Sequence, residues 1–284
     1  MAHATVPLSV PKHVPSVRRN IPSAPARGRS TVASVADADF FEAAKQTVDR
    51  FVKSGMVVGL GSGRASSFAV RYLGRCLQQG ALRDVVGIPS SVFSASEAAK
   101  AGIPLNHYQE NLQIDFAFND ADLIEEGTLT ALIGRRKPEG GESLFIEKSI
   151  AKAASKLALI VAEKQYTRDV DGSIPVLVNC GNWMETAEEI DDLFLGDAEV
   201  WRRPTSGQAD PMGGDFPLVT REGHHVLDVI FTSPILDLGQ VAESLDQIAG
   251  VVDHGIIFSV NPCVAIVASK NGVAIVDKKS SVIS

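Results

Sequence analysis

Three cysteines in 284 residues, Cys76, Cys180 and Cys263, are too few and too far apart for a disulfide framework, and their spacing is not that of a metal-ligand set. They read as small core hydrophobes in a reducing compartment. No apolar run reaches the ~18 residues that a membrane-spanning helix needs. A chain of net charge −7 with no evident basic face is a poor candidate for sustained nucleic-acid contact. Internal repeats are also missing. The most local absence is of acid. Residues 1–36 hold no Asp or Glu, yet they carry Lys12, Arg18, Arg19, Arg27 and Arg29 among many Ser, Ala and Pro. Such a segment reads as an organelle transit peptide, with a disordered basic tail as the alternative on composition alone. The rest of the chain has 22 basic and 34 acidic residues, a net charge of −12. Its hydrophobic content is that of an ordinary globular protein with ample material for a core.

What is there centres on Met56-Val57-Val58-Gly59-Leu60-Gly61-Ser62-Gly63-Arg64-Ala65-Ser66-Ser67. A short β-branched apolar run reads as a buried strand. Glycines at alternating positions follow, and then Phe68, Ala69, Tyr72, Leu73, Cys76 and Leu77 recur at helical spacing. Strand, glycine-rich turn and helix place free backbone N–H groups and a positive dipole end at the turn, which suits a phosphate or carboxylate. Arg64 adds a forked cation. The spacing Gly-x-Gly-x-Gly is not that of a dinucleotide fingerprint, and the Lys-Ser/Thr of a nucleoside-triphosphate loop is missing. A small phosphorylated ligand therefore fits better, although the same turn also serves as a plain tight connection in many α/β proteins.

The rest of the chain alternates. The spacing predicts a helix over 37–52 closed by Lys53-Ser54-Gly55, a strand over 85–88, a helix over 93–101 and strands over 103–105, 114–118 and 128–133. A polar loop over 134–142, a helix over 144–155 and a strongly apolar strand over 157–162 follow. Strands alternating with helices predict a parallel, doubly covered, Rossmann-like sheet, with ligands beyond the carboxyl ends of the strands. The loops at 61–65, 89–91, 119–122 and 162–164 are thus expected to converge on one pocket. After residue 170 the order becomes strand, helix, strand, strand, helix, strand, which predicts a small ferredoxin-like α+β lid. Segments 256–258, 264–268 and 273–276 are expected to return to the first sheet. The domain plan is therefore 37–170 plus 254–279 for the α/β part, 171–253 for the lid and 280–284 as a tail.

Several residues carry potential chemistry. Asn119-Asp120-Ala121-Asp122 gathers acid at the end of a strand, where turn chemistry is the plainer explanation. Glu147 has apolar neighbours that would partly desolvate its carboxylate and make it a better base; a solvated helix glutamate paired with a lysine is the alternative. Lys164 follows a strand and could meet an anion. His254 reads as a residue of a turn or domain junction, or as an acid or base. The His224–His225 pair lacks companions at ligand spacing, so no metal is expected. No nucleophile elbow is present, since the glycines around Ser62 fall out of register with that pattern.

Taken together, these blocks resemble ribose-5-phosphate isomerase of the A type in its plant chloroplast form. The resemblance rests on Val58 to Gly63, Val86 to Ser91, Ala101 to Leu105, Ile114-Asp115 with Ala121-Asp122, Glu147-Lys148, Pro217 to Thr220 and Gly250 to Gly255. It implies an aldose–ketose isomerase that needs neither metal nor other cofactor, works on a pentose phosphate in the pentose phosphate pathway and Calvin cycle, and forms a homodimer in the plastid. Glu147 matches the family's proton-transferring glutamate, which works between C2 and C1 through an enediolate. Ser62, Gly63, Arg64 and Ala65 match the phosphate-side loop, Asn119, Asp120 and Asp122 the acidic loop, and Lys137 and Lys164 two lysines. The chain departs from the family at three places. Arg64 and Ala65 stand for a Ser-Thr pair, Asn119 for the first carboxylate of Asp-Gly-Ala-Asp, and the segment from Gly134 to Leu144 is lengthened. These departures leave two expectations: a working isomerase, or a weakened or non-catalytic sugar-phosphate-binding relative. Nothing in the sequence supports a related-fold deaminase of amino-sugar phosphates or a CoA transferase.

Overall fold

Asp37 and Asp39 stand in the first turn of helix α1 (Asp37–Phe51), where carboxylates complement the helix dipole, and Ala43, Ala44, Thr47 and Val48 form its buried stripe. The protein is described by a computed structural model covering residues 37–109, 112–135, 144–205, 216–258 and 263–277. The expected transit segment, the expected tail and Lys137 lie outside the described residues. Strand β1 (Val57–Leu60), helix α2 (Arg64–Gln78), strand β2 (Val86–Pro89), helix α3 (Val92–Lys100) and strand β3 (Phe116–Asp120) follow in order. Strands β4 (Leu123–Glu125) and β5 (Ala131–Leu132), helix α4 (Leu144–Ala153) and strands β6 (Leu157–Ala162) and β7 (Tyr166–Thr167) come next.

The lid is built from β8 (Val170–Asn179), α5 (Trp183–Leu193), β9 (Ala198–Arg202), β10 (His224–Ile235), α6 (Leu238–Asp246) and β11 (Val251–His254). The chain ends with β12 (Ile256–Ile257), β13 (Cys263–Ser269) and β14 (Gly272–Asp277).

The main sheet runs β14-β13-β6-β3-β1-β2 and is parallel except for the β14 edge. Its central strands are apolar on both faces, as a sheet covered by helices on each side requires. In β6, Leu157, Leu159 and Val161 enter one core and Ala158 and Ile160 the other; β13 alternates in the same way. The second core also takes α1 and α2, including Phe51 stacked on Phe116 at 5.5 Å. Because β2 and β3 flank β1 on opposite sides, the chain reverses direction across the sheet between β1 and β3. A crevice opens at such a switch point.

The lid sheet runs β11-β8-β10-β9, every pair antiparallel. This is the ferredoxin-like order expected from the sequence. Ile174, Val176 and Val178 pack beneath α5 and α6 with Ile190, Ala242 and Leu245. The intervening Leu177 and its neighbour Val226 point the opposite way, toward the main body. One expectation is corrected. Ile256–Ile257 does not rejoin the main sheet but pairs with β5 in a separate four-stranded sheet, β12-β5-β4-β7. Gly255 makes this possible: its N–H donates to Pro175 O, its O accepts from Ile133 N–H, and a Cβ there would fall 2.3 Å from Ile133 O.

Lid and main body meet at a buried polar junction. Lys148 of α4 is 2% exposed; its ammonium donates to the Asp253 carboxylate and to His254 O (2.8 Å). His254 Nδ1 accepts from Ile256 N–H (3.1 Å), which leaves the ring proton on Nε2. That nitrogen is 3.2 Å from Asp246 Oδ1 but lacks hydrogen-bond geometry. His254 is thus a junction residue. Burial, reinforced by the Lys148 charge, pushes its pKa down to about 4. In the unfolded chain it would protonate near ~6.5, so between these values the unfolded state binds more protons. Stability is then expected to fall as pH drops from about 6.5 toward about 4, by at most about 3 kcal/mol from this residue. Urea unfolding against pH checks this. The advantage of wild type over His254→Asn should shrink as the medium becomes acid, and a pH-independent difference would count against it.

Candidate active site

The crevice beneath the lid is a cavity of about 470 Å³. Three of the four loops expected to converge do so: Ser62, Gly63 and Arg64 after β1, Ser90 and Ser91 after β2, and Asp120 with Asp122 after β3 all line it. The fourth does not. Lys164 is exposed in the turn Glu163–Gln165 and stands off the cavity wall. Glu147 enters from the first turn of α4, half-buried, beside Leu144 and Ile133.

Serine hydroxyls join the first two loops. Ser62 Oγ lies 2.7 Å from Ser91 Oγ and 3.2 Å from Ser90 Oγ. Ser91 in turn caps α3 through a reciprocal exchange with Ser94, so the helix start fixes the hydroxyl array. Asn119 stays behind the wall, its Oδ1 accepting Ser62 N–H at 2.8 Å. It shapes the loop and does not face the cavity.

Asp120 decides the electrostatics of the glycine turn. Along β3 the side chains alternate, and Phe116 and Phe118 face α1 and α2. Two residues on, Asp120 points the same way and meets the start of α2. Its carboxylate accepts Ala65 N–H (2.9 Å), Ser66 N–H (2.7 Å) and Ser66 Oγ–H (2.7 Å). Gly63, at φ 118, is what allows the approach: a Cβ there would sit 2.4 Å from Asp120 Oδ2. Ala65, expected to face a ligand, is instead fully buried, with its amide facing Asp120. Asp122 is held separately, Oδ2 accepting Arg135 N–H at 2.9 Å and its own carbonyl accepting from Gln165.

Arg64, Arg71 and Arg203 also line the cavity. Arg64 pairs with Asp37 at 2.5 Å. Arg71, two turns along α2, pairs with Glu97 at 2.7 Å, and Lys100 reaches the same carboxylate at 3.0 Å. Those two cations hold the Glu97 carboxyl below its ordinary range, Lys100 foremost. Arg203, 6% exposed, forks onto both oxygens of Asp228 and donates to Gly134 O (2.8 Å), tying the lid to the main body.

Sequence reasoning missed Arg71, Arg203 and the lid wall of Leu177, Thr220 and Val226. Arg71 had a signal, since it follows Arg64 by seven residues, on the same helical face. The other signal was Thr220, within one of the blocks that carry the resemblance.

Residues 86–272 match the family profile of ribose 5-phosphate isomerase A, also called phosphoriboisomerase A. The chain belongs to the ribose 5-phosphate isomerase A family. It is 35% identical over 236 residues to ribose-5-phosphate isomerase A of Gluconobacter oxydans, covering 81% of this chain and 93% of that one. It is 32% identical over 241 residues to a probable chloroplastic ribose-5-phosphate isomerase 3 of Arabidopsis thaliana, covering 83% and 82%. The solved ribose 5-phosphate isomerase of Plasmodium falciparum superposes with a TM-score of 0.74 at 28% identity, covering 86% of this chain and all of that one. In this member of the family the Asp120 carboxylate meets the Ala65 amide at the start of α2, while Arg64 turns to Asp37.

Proposed function

We propose that this chain interconverts D-ribose 5-phosphate and D-ribulose 5-phosphate, with Glu147 carrying a proton between C2 and C1. The observation that carries the reading is that Glu147 and Asp122 share one cavity with the serine-lined switch-point loops. Glu147 removes the C2 proton of the open-chain aldose, electrons move onto the carbonyl oxygen at C1, and an enediolate forms. The O2 hydroxyl proton passes to O1, and as the C2 carbonyl forms, return of the proton from Glu147 to C1 gives the ketose. The lid residues Leu177 and Val226 keep water from the enediolate, and the hydroxyls of Ser62, Ser90 and Ser91 are donors for sugar oxygens. Of the two lysines that the resemblance implies, Lys137 in the lengthened loop is the one that remains a candidate; Lys164 is left without a part.

Residues 37–284, purified and assayed with a metal chelator present, should interconvert the two pentose phosphates. Tight binding of ribose 5-phosphate by calorimetry without turnover would replace this reading with that of a non-catalytic sugar-phosphate binder. The three loop substitutions at Arg64, Ala65 and Asn119 favour that second reading. The acid-free basic segment 1–36 and the similarity to a chloroplastic relative support a plastid address, and hence a place in plastid pentose phosphate metabolism. The homodimer expected from the resemblance completes the proposal, with 171–253 moving as a lid over 37–170 and 254–279.

A further inference from the structure

A glycine turn leading into a helix offers its amides to an anion, and in this protein an anion is already there. The Asp120 carboxylate takes two backbone N–H groups and the Ser66 hydroxyl at the start of α2, and the absence of a Cβ on Gly63 lets it in. A second anion cannot use the same amides. Two guanidinium groups on the same helix line the same cavity. Arg64 is matched one-to-one with Asp37. Arg71 shares the single carboxylate of Glu97 with Lys100, so this cluster keeps an excess positive charge, and the Arg71 side chain is 54% exposed.

We propose that Asp120 is a specificity-determining residue that keeps phosphate out of the helix start, so that the phosphate end of the substrate is held along the α2 flank of the cavity by Arg71. This rests on the pentose-phosphate reading above and adds where that substrate's charged end sits. Substrate affinity in this protein then depends on a side-chain cation in place of backbone amides. The carboxylate also repels any anion brought near the turn, so the wild-type site binds phosphate weakly.

The probe is inorganic phosphate, measured by calorimetry on the purified chain and read without turnover, so its outcome is independent of whether Glu147 works as a base. Asp120→Gly vacates the amides and should tighten phosphate binding about tenfold, since the helix start then offers its free N–H groups and dipole to the anion. Asp120→Asn keeps the shape, removes the charge and should gain a smaller factor. If the glycine variant does not fold, the asparagine variant decides alone. A gain of affinity is not what structural damage produces. Arg71→Gln should weaken phosphate about tenfold in the wild-type background and much less beside Asp120→Gly, where the amides take over. No tightening in whichever Asp120 variants fold, or an undiminished affinity in Arg71→Gln, overturns the proposal.

Discussion

Glu147→Gln is expected to lower the rate of pentose phosphate interconversion by about 10²- to 10⁴-fold, the range that a positioned general base contributes. The amide fills the same volume and still reaches the cavity, but it cannot accept a proton from C2. Because the side chain projects from the first turn of a helix whose next residue is locked in a buried junction, the variant should keep its fold. The loss should fall on kcat, since the ground-state sugar does not depend on proton transfer; a variant that raises KM alone would mark Glu147 as a binding group. Asp122→Asn is the informative companion. Asp122 Oδ2 is engaged by Arg135 N–H at 2.9 Å, so its removal should disturb the loop and cost less in kcat than Glu147→Gln. Stopped assays of ribulose 5-phosphate formation at saturating substrate measure both. If Glu147→Gln retains wild-type kcat, the base lies elsewhere and the reading of the cavity fails.

What could be read from the sequence follows from periodicity. Leu157–Ala162 is apolar at every position and was legible as a strand covered on both faces. Helix α2 was legible because its apolar residues recur at helical spacing, and the lid because its element order admits few topologies. The small third sheet was not legible. Its strands are two or three residues long, too short to show any period, and the pairing of β12 with β5 follows a close backbone approach at Gly255. At the site, the glycine turn was read as awaiting a small phosphorylated ligand, and the amides that follow it hold a carboxylate of the chain itself. The alternation Phe116, Phe118, Asp120 could have placed that carboxylate against α2; the expectation that the turn awaits a ligand obscured it. Arg203 was harder. A buried arginine carries no local pattern, and its partners Asp228 and Gly134 are 25 and 69 residues away.

The junction around His254, which the sequence already suggested, carries the largest stability prediction. Lys148→Met is expected to destabilise the protein by about 3–5 kcal/mol, because it leaves the Asp253 carboxylate nearly buried without its counter-charge. In a chain of this size that is a fall of about 6–20 °C in melting temperature. Methionine fills most of the lysine's volume, so a cavity is not the cause. What is lost is the ammonium that the Asp253 carboxylate and the His254 carbonyl both accept from. Burial draws the Lys148 ammonium below its ordinary pKa, yet Asp253 beside it favours the charged form. The pair therefore costs desolvation and is stable only as a pair. It follows that Asp253→Asn alone should also destabilise. The double variant Lys148→Met with Asp253→Asn should recover part of the loss, since it buries no lone charge. Calorimetric melting of the four proteins closes the cycle. Strict additivity of the two single losses would mean that Lys148 and Asp253 do not act as a pair. The cycle has a catalytic corollary. Residues 147 and 148 leave α4 in directions about 100° apart, one into the cavity and one into the junction. Loosening Lys148 should therefore lower kcat at temperatures where the variant is still folded, by letting the base drift from its place under the lid.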